Sequence, residues 1–134
     1  NIKMVIISLI PNIIPLLIAG GIMGFLSIPL KPSSALVFSI VFGISVDYSI
    51  HFLAKFKNEL TRNSLSDSIL LTINQTGKSM IFTSFILFFG FIIFAFSNFG
   101  GTIVLGVLTS IILFVAMITN LTLLPSIILH FYKK

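Results

Sequence analysis

Gly43-Ile-Ser-Val-Asp-Tyr-Ser-Ile-His51 is the stretch whose reading decides the fold. It lies in an apolar run from Ala35 to Ala54, and it places a carboxyl, a phenol and an imidazole where a lipid-spanning helix ordinarily carries none. At helical rise Asp47 falls about 18 Å from the start of that run and about 12 Å before Lys55, slightly past the middle of a ~30 Å hydrocarbon layer. An acid at that depth costs about 2.5 to 3.5 kcal/mol on insertion scales, which makes function the default reading of such a residue. Ser39, Gly43, Asp47 and His51 recur every four residues and form one small, polar stripe along a single helix face, with Tyr48 beside it.

Working outward, composition sets the class. Of 134 residues 57% are hydrophobic and 8% charged, and the mean hydropathy is +1.19. Soluble domains carry about a quarter charged residues, so the expectation is an all-α integral membrane bundle. There is no cysteine and hence no thiol chemistry. The net charge of +5 comes from basic residues that flank apolar spans instead of clustering on a surface, which argues for topology and against a nucleic-acid partner. The chain opens Asn-Ile-Lys with neither an initiator Met nor a signal-peptide pattern, and it reads as a piece of a larger protein.

Four spans are expected, at about 4–26, 35–56, 79–97 and 102–129. The first holds Pro11 and Pro15, which kink a helix unless neighbours satisfy the freed carbonyls, and a Gly20-x-x-x-Gly24 spacing suited to close helix packing. Ser27 to Ser34 is a turn with two prolines and serines able to cap. Between the second and third spans lies the only long hydrophilic stretch, where Ser64-x-x-Asp67 has the form of a capping box. Leu65, Ile69, Leu70 and Ile73 follow at helical spacing, so an amphipathic helix at about 65–76 is expected on the membrane surface, stopped by Gly77. In the phenylalanine-rich third span Thr83, Ser84 and Gly90 are expected to face the bundle interior, and in the fourth Gly106, Ser110, Ala116, Thr119 and Asn120 supply the small and polar positions. His130 is expected at the interface, without a chemical role.

Orientation follows from the basic flanks. With both termini cytoplasmic, Lys3, Lys55, Lys57, Arg62, Lys78, Lys133 and Lys134 lie inside and only Lys31 lies outside.

The stretch from Gly43 to Leu53, followed in order by Thr76-Gly-Lys-Ser79, Thr83-Ser84, Gly90-Phe91, Gly106 and Leu121-Thr-Leu-Leu-Pro125, resembles the resistance-nodulation-division (RND) superfamily. The nearest branch is that of MMPL and hopanoid-exporter-like lipid transporters, whose relatives include Patched and the sterol-sensing domains. The resemblance covers nearly the whole chain, and its strength lies in the ordered set of motifs. It implies a place as helices nine to twelve of twelve, in the second of two repeats, with the remaining helices and extracytoplasmic domains of a full transporter, or another copy, as partners. It also implies a multi-pass protein of the cell inner (plasma) membrane and a hydrophobic or lipid-like cargo. Ser45 departs from the pattern, where glycine is common.

A carboxyl in a low-dielectric layer is disfavoured in its ionised form and so is suited to take up and release a proton. Tyr48 and His51 are able to hydrogen-bond to Asp47 or to a partner's equivalent. The resemblance implies the same assignment: Asp47, Tyr48 and His51 as a proton relay, packed through Ser39 and Gly43, in an exporter driven by the proton gradient. Two other readings share the architecture, a sterol-sensing-like lipid-binding regulatory domain without transport and a translocation accessory of the SecDF type. One intramembrane Asp and two distant His residues supply neither a nucleophile triad nor a metal-ligand set, so neither an enzyme nor a cofactor is expected.

Overall fold

The computed structural model describes residues 2–133, so Asn1 and the orientation count's Lys134 lie outside the described residues. It contains α1 (Ile2–Phe25), α2 (Pro32–Leu60), α3 (Leu65–Thr72), α4 (Lys78–Ile92) and α5 (Gly100–Tyr132), and no strand among the described residues. Because α3 runs on into α4, four helices are long and apolar enough to cross a membrane: 24, 29, 32 and 33 residues. The protein is an all-α, multi-pass membrane bundle.

Local chemistry sets the joints. α1 passes unbroken through Pro11 and Pro15, both buried against its neighbours. It ends with Ser27 at φ 53°, where Ile28 N–H donates to the Met23 carbonyl (2.9 Å) and Ser27 N–H to that of Gly24 (3.3 Å), a Schellman closure built without glycine. α2 begins three residues earlier than the sequence pattern indicates. Pro32 occupies its first position and the Ser34 hydroxyl accepts from Lys31 N–H at 2.7 Å. Ser64 caps α3 as expected, accepting from Asp67 N–H at 3.3 Å.

Gly77 does not stop the amphipathic helix. Ile73–Gly77 forms a single π-helical turn that joins α3 to α4, and Gly77 has helical dihedrals (φ −60°, ψ −41°). Its missing side chain serves packing instead, since a Cβ there lies 3.2 Å from Leu121 Cδ2. α3 therefore does not lie apart from the bundle. Ile69 is buried, with Leu65 and Ile73 packed beside it, in the core cluster of Phe52, Phe56, Leu124 and Ile128.

At the other end α4 tightens into a 3₁₀ turn, Ile93–Phe96, against α5. Gly106 makes this approach possible, because a Cβ there falls 2.5 Å from the Phe91 carbonyl oxygen and 2.5 Å from Phe94 Cβ. A second core cluster, with Ala19, Met23, Val37, Val41, Ile112 and Leu113, fills this half. Phe56 stacks edge-on against Tyr132 (5.5 Å), which brings the C-terminal ends of α2 and α5 together. Lys3, Lys55, Lys57, Arg62, Lys78 and Lys133 thus share one end of the bundle, while Lys31 lies at the other.

Candidate functional site

α2 carries polar groups on two opposite faces. Ser39, Gly43, Asp47 and His51 all point out of the bundle. The side chains of Asp47 and His51 are 63% and 69% exposed and meet each other, His51 Nε2 lying 3.3 Å from Asp47 Oδ1, one helical turn apart. A Cβ on Gly43 meets nothing within 4 Å, and the same holds for Gly20 and Gly24 of α1. These small-residue positions leave room for helices other than the four described.

Tyr48 turns the other way. It is 3% exposed, and its hydroxyl shares a 2.6 Å hydrogen bond with Ser84 of α4. The expected set is therefore only partly assembled: Asp47 and His51 are paired, whereas the phenol is engaged with α4. Ser84 faces inward as expected, but Thr83 and Gly90 are exposed, since they lie about 100° and about 240° round the helix from Ser84.

Beside the Asp47–His51 pair runs a cleft of about 650 Å³ between α2 and the α3–α4 helix, lined by residues that include Asp47, Tyr48, His51, Asn58, Thr76, Ser79 and Thr83. Near its polar end Lys55 Nζ is 2.6 Å from Glu59 Oε1. Among the described residues no group of three or more His, Cys, Asp or Glu could hold a metal ion.

The inner face of α2 holds a second polar cluster that the sequence reading did not single out. Near mid-length of α1, α2 and α5, the Ser45 hydroxyl donates to Asn12 Oδ1 (2.7 Å) and the Ser49 hydroxyl to Asn120 Oδ1 (2.6 Å), with Asn12 Oδ1 a longer alternative at 3.1 Å. Asn120 Nδ2 donates to Ser45 Oγ (3.1 Å) and to the Ala116 carbonyl (3.0 Å). All four side chains are buried, and of their polar atoms only Asn12 Nδ2 lacks a partner. A detectable signal was the spacing of Ser45 and Ser49, two hydroxyls four residues apart on a face with no lipid-facing role.

The ordered motifs, the four spans and the intramembrane acid together point to one family, and its profile, described as the MMPL family, matches residues 4–132. The chain belongs to the MMPL family. MMPL proteins are a transporter family, and this chain is a transporter-related membrane segment. It is 29% identical over 124 residues to MJ1562 of Methanocaldococcus jannaschii, which bears the name of a membrane protein; the match covers 92% of this chain and 32% of that relative. The chain thus spans about a third of the length of the curated relative it matches. No solved structure matches it. In this MMPL segment Ser45 and Ser49 together tie α2 to both Asn12 and Asn120.

Proposed function

We propose that this chain is the membrane segment of a proton-driven RND-type exporter of lipids or other hydrophobic or amphiphilic compounds, with Asp47 as the intramembrane proton carrier. The observation that carries this reading is the outward Asp47–His51 pair: a carboxyl and an imidazole 3.3 Å apart, near mid-span, that no other side chain among the described residues satisfies. An exposed ionisable pair at that depth is too costly to serve packing alone, and it is suited to exchange a proton and to meet a facing helix. His51 accepts or donates within the pair according to its charge. Tyr48 joins the relay by exchanging its hydrogen bond with Ser84 for one with Asp47 or with the facing helix. Ser39 and Gly43 provide the close approach. The partners are the remaining helices and extracytoplasmic domains of the full transporter, or another copy, together with membrane lipids and a lipid-like cargo. The protein sits in the cell inner (plasma) membrane with both termini and the basic end cytoplasmic, as the positive-inside rule orients it.

The deciding experiment is Asp47→Asn in the complete protein, which keeps shape and most hydrogen bonding but removes the titrating proton. Gradient-driven export of a lipid-like cargo from vesicles, normalised to folded protein, is expected to be almost abolished while insertion and abundance are retained. Wild-type export by the variant eliminates the relay.

A further inference from the structure

The basic end of the bundle holds a second cleft, of about 520 Å³, where the start of α1 meets the end of α5. Lys3, Ile6, Ile7, Phe131 and Tyr132 line it. At helical rise Ile6 and Ile7 lie about 5 to 6 Å deeper than Lys3, so a charged rim leads into an apolar throat. Ile7 is buried and forms the floor, while Ile6, Phe131 and Tyr132 keep large apolar surfaces exposed. Phe56 packs edge-on against Tyr132 and fixes its ring, and the phenol hydroxyl bonds to no group among the described residues.

Charge at this end is unbalanced. Its two carboxylates are both engaged elsewhere: Glu59 lies 2.6 Å from Lys55 Nζ, and Asp67 accepts from the Ser64 hydroxyl at 2.7 Å in the cap of α3. Lys3, and Lys133 directly after Tyr132, meet no carboxylate among the described residues. A cleft with cations at its rim and aliphatic and aromatic walls one turn deeper selects an occupant with negative charge at the interface and hydrocarbon below it. A leaflet phospholipid presents those two parts in that order and at those depths, whereas a facing helix would have to bring its own acid to the same height. Basic pockets between membrane helices on the positively charged side take anionic headgroups in this way. Tyrosine suits the boundary itself, with its ring among the chains and its hydroxyl among the headgroups.

We propose that the cleft between the start of α1 and the end of α5 binds one anionic phospholipid from the leaflet at the basic end of the bundle. Lys3 and Lys133 neutralise its headgroup phosphate, the Tyr132 hydroxyl donates to it, and an acyl chain lies along Ile6, Ile7 and Phe131. The site stands at the opposite end of α1 from Lys31 and away from the Asp47–His51 pair, so it does not depend on the relay reading.

The test is lipid binding by the complete protein in detergent, read by native mass spectrometry and by the thermal midpoint, with phosphatidylglycerol and phosphatidylcholine of identical chains as probes. Phosphatidylglycerol is expected to stay bound and to raise the midpoint, and phosphatidylcholine to do so less. Replacing Lys3→Gln together with Lys133→Gln should weaken phosphatidylglycerol binding about tenfold or more, given about fivefold for each lysine near an anionic headgroup. The control pair, Lys57→Gln with Arg62→Gln, removes the same charge from the same end outside the cleft and should change affinity by no more than about twofold. Ile6→Trp leaves the charge intact, fills the throat from an exposed position and should expel the lipid. Glycerol phosphate, which has the charge without the chains, should neither bind at these concentrations nor raise the midpoint. Equal losses in the two charge pairs overturn the proposal, because the basic end then attracts lipid only as a diffuse surface. Phosphatidylglycerol bound as in wild type by Ile6→Trp overturns it as well. So does a wild-type protein that retains no phosphatidylglycerol, since another helix of the full protein then fills the cleft.

Discussion

The two faces of α2 hold polar groups of different kinds, and the difference is instructive. Inward, Ser45 and Ser49 meet Asn12 and Asn120, all neutral and nearly all satisfied within the bundle. Outward, Asp47 and His51 are ionisable and, among the described residues, have only each other. In a low-dielectric layer neutral amides and hydroxyls are affordable when they close on themselves, each interhelical bond contributing about 0.6 kcal/mol and at most about 2. Titratable groups are not, and their retention needs a use. The inner face fixes how α2 sits against α1 and α5; the outer face is left for what packs from outside and, on the proposed reading, for the relay. Changes inward should therefore appear in stability, and changes outward in turnover.

The largest expected effect tests the packing on which both faces depend. Gly106→Ala drives a methyl into the Phe91 carbonyl and Phe94 Cβ, each 2.5 Å away, and should cost about 3 kcal/mol or more, read as loss of folded protein after detergent extraction. Next is Asn120→Leu, which strips the inner network of its bonds to Ser45 and Ser49 and should destabilise by about 2 kcal/mol, seen as a lowered thermal midpoint, while Asp47→Asn leaves that midpoint in place or raises it. Equal destabilisation by the two would break the distinction between faces. Tyr48→Phe sits between them. It removes one buried hydrogen bond to Ser84 and should cost about 1 kcal/mol, with a smaller loss of transport than Asp47→Asn. The smallest effect on folding is expected at Gly43→Ala, where a Cβ meets nothing within 4 Å. Its thermal midpoint should be unchanged, and a fall in transport there would mark the outer face as a seam for another helix.

Much of this was legible in the sequence because membrane physics makes it so. Long apolar runs and Ser64 with Asp67 at a helix start are local signals, and local signals survive in one dimension, although Pro32 and Ser34 read as turn residues and not as the start of α2. The outward stripe was legible for the same reason, being a four-residue period on one helix. Its outward direction was not, because which face of α2 turns inward is set by Asn12, 33 and 37 residues from its serine partners, and by Asn120, 75 and 71 residues from them. Tyr48 illustrates the limit. Adjacency to Asp47 suggested a shared hydrogen bond, but a helix turns about 100° per residue, and that rotation sends the phenol to Ser84. Gly77 misled in another way: glycine near the end of an amphipathic pattern signals a stop, whereas here it allows Leu121 to approach.

The π turn at Ile73–Gly77 has a consequence for phase. It accommodates one residue more than an α-helical turn, so α4 is rotated by about 100° from where a straight continuation of α3 would place it. That offset is what lets one continuous helix obey two registers. Below the turn, Leu65 and Ile69 present their apolar side to Phe56; above it, Ser84 comes round to Tyr48 and Thr83 to the cleft. A single residue's worth of winding thus works as a gear between the polar end of the bundle and its middle, and any slip of that turn swings the whole upper helix past Tyr48.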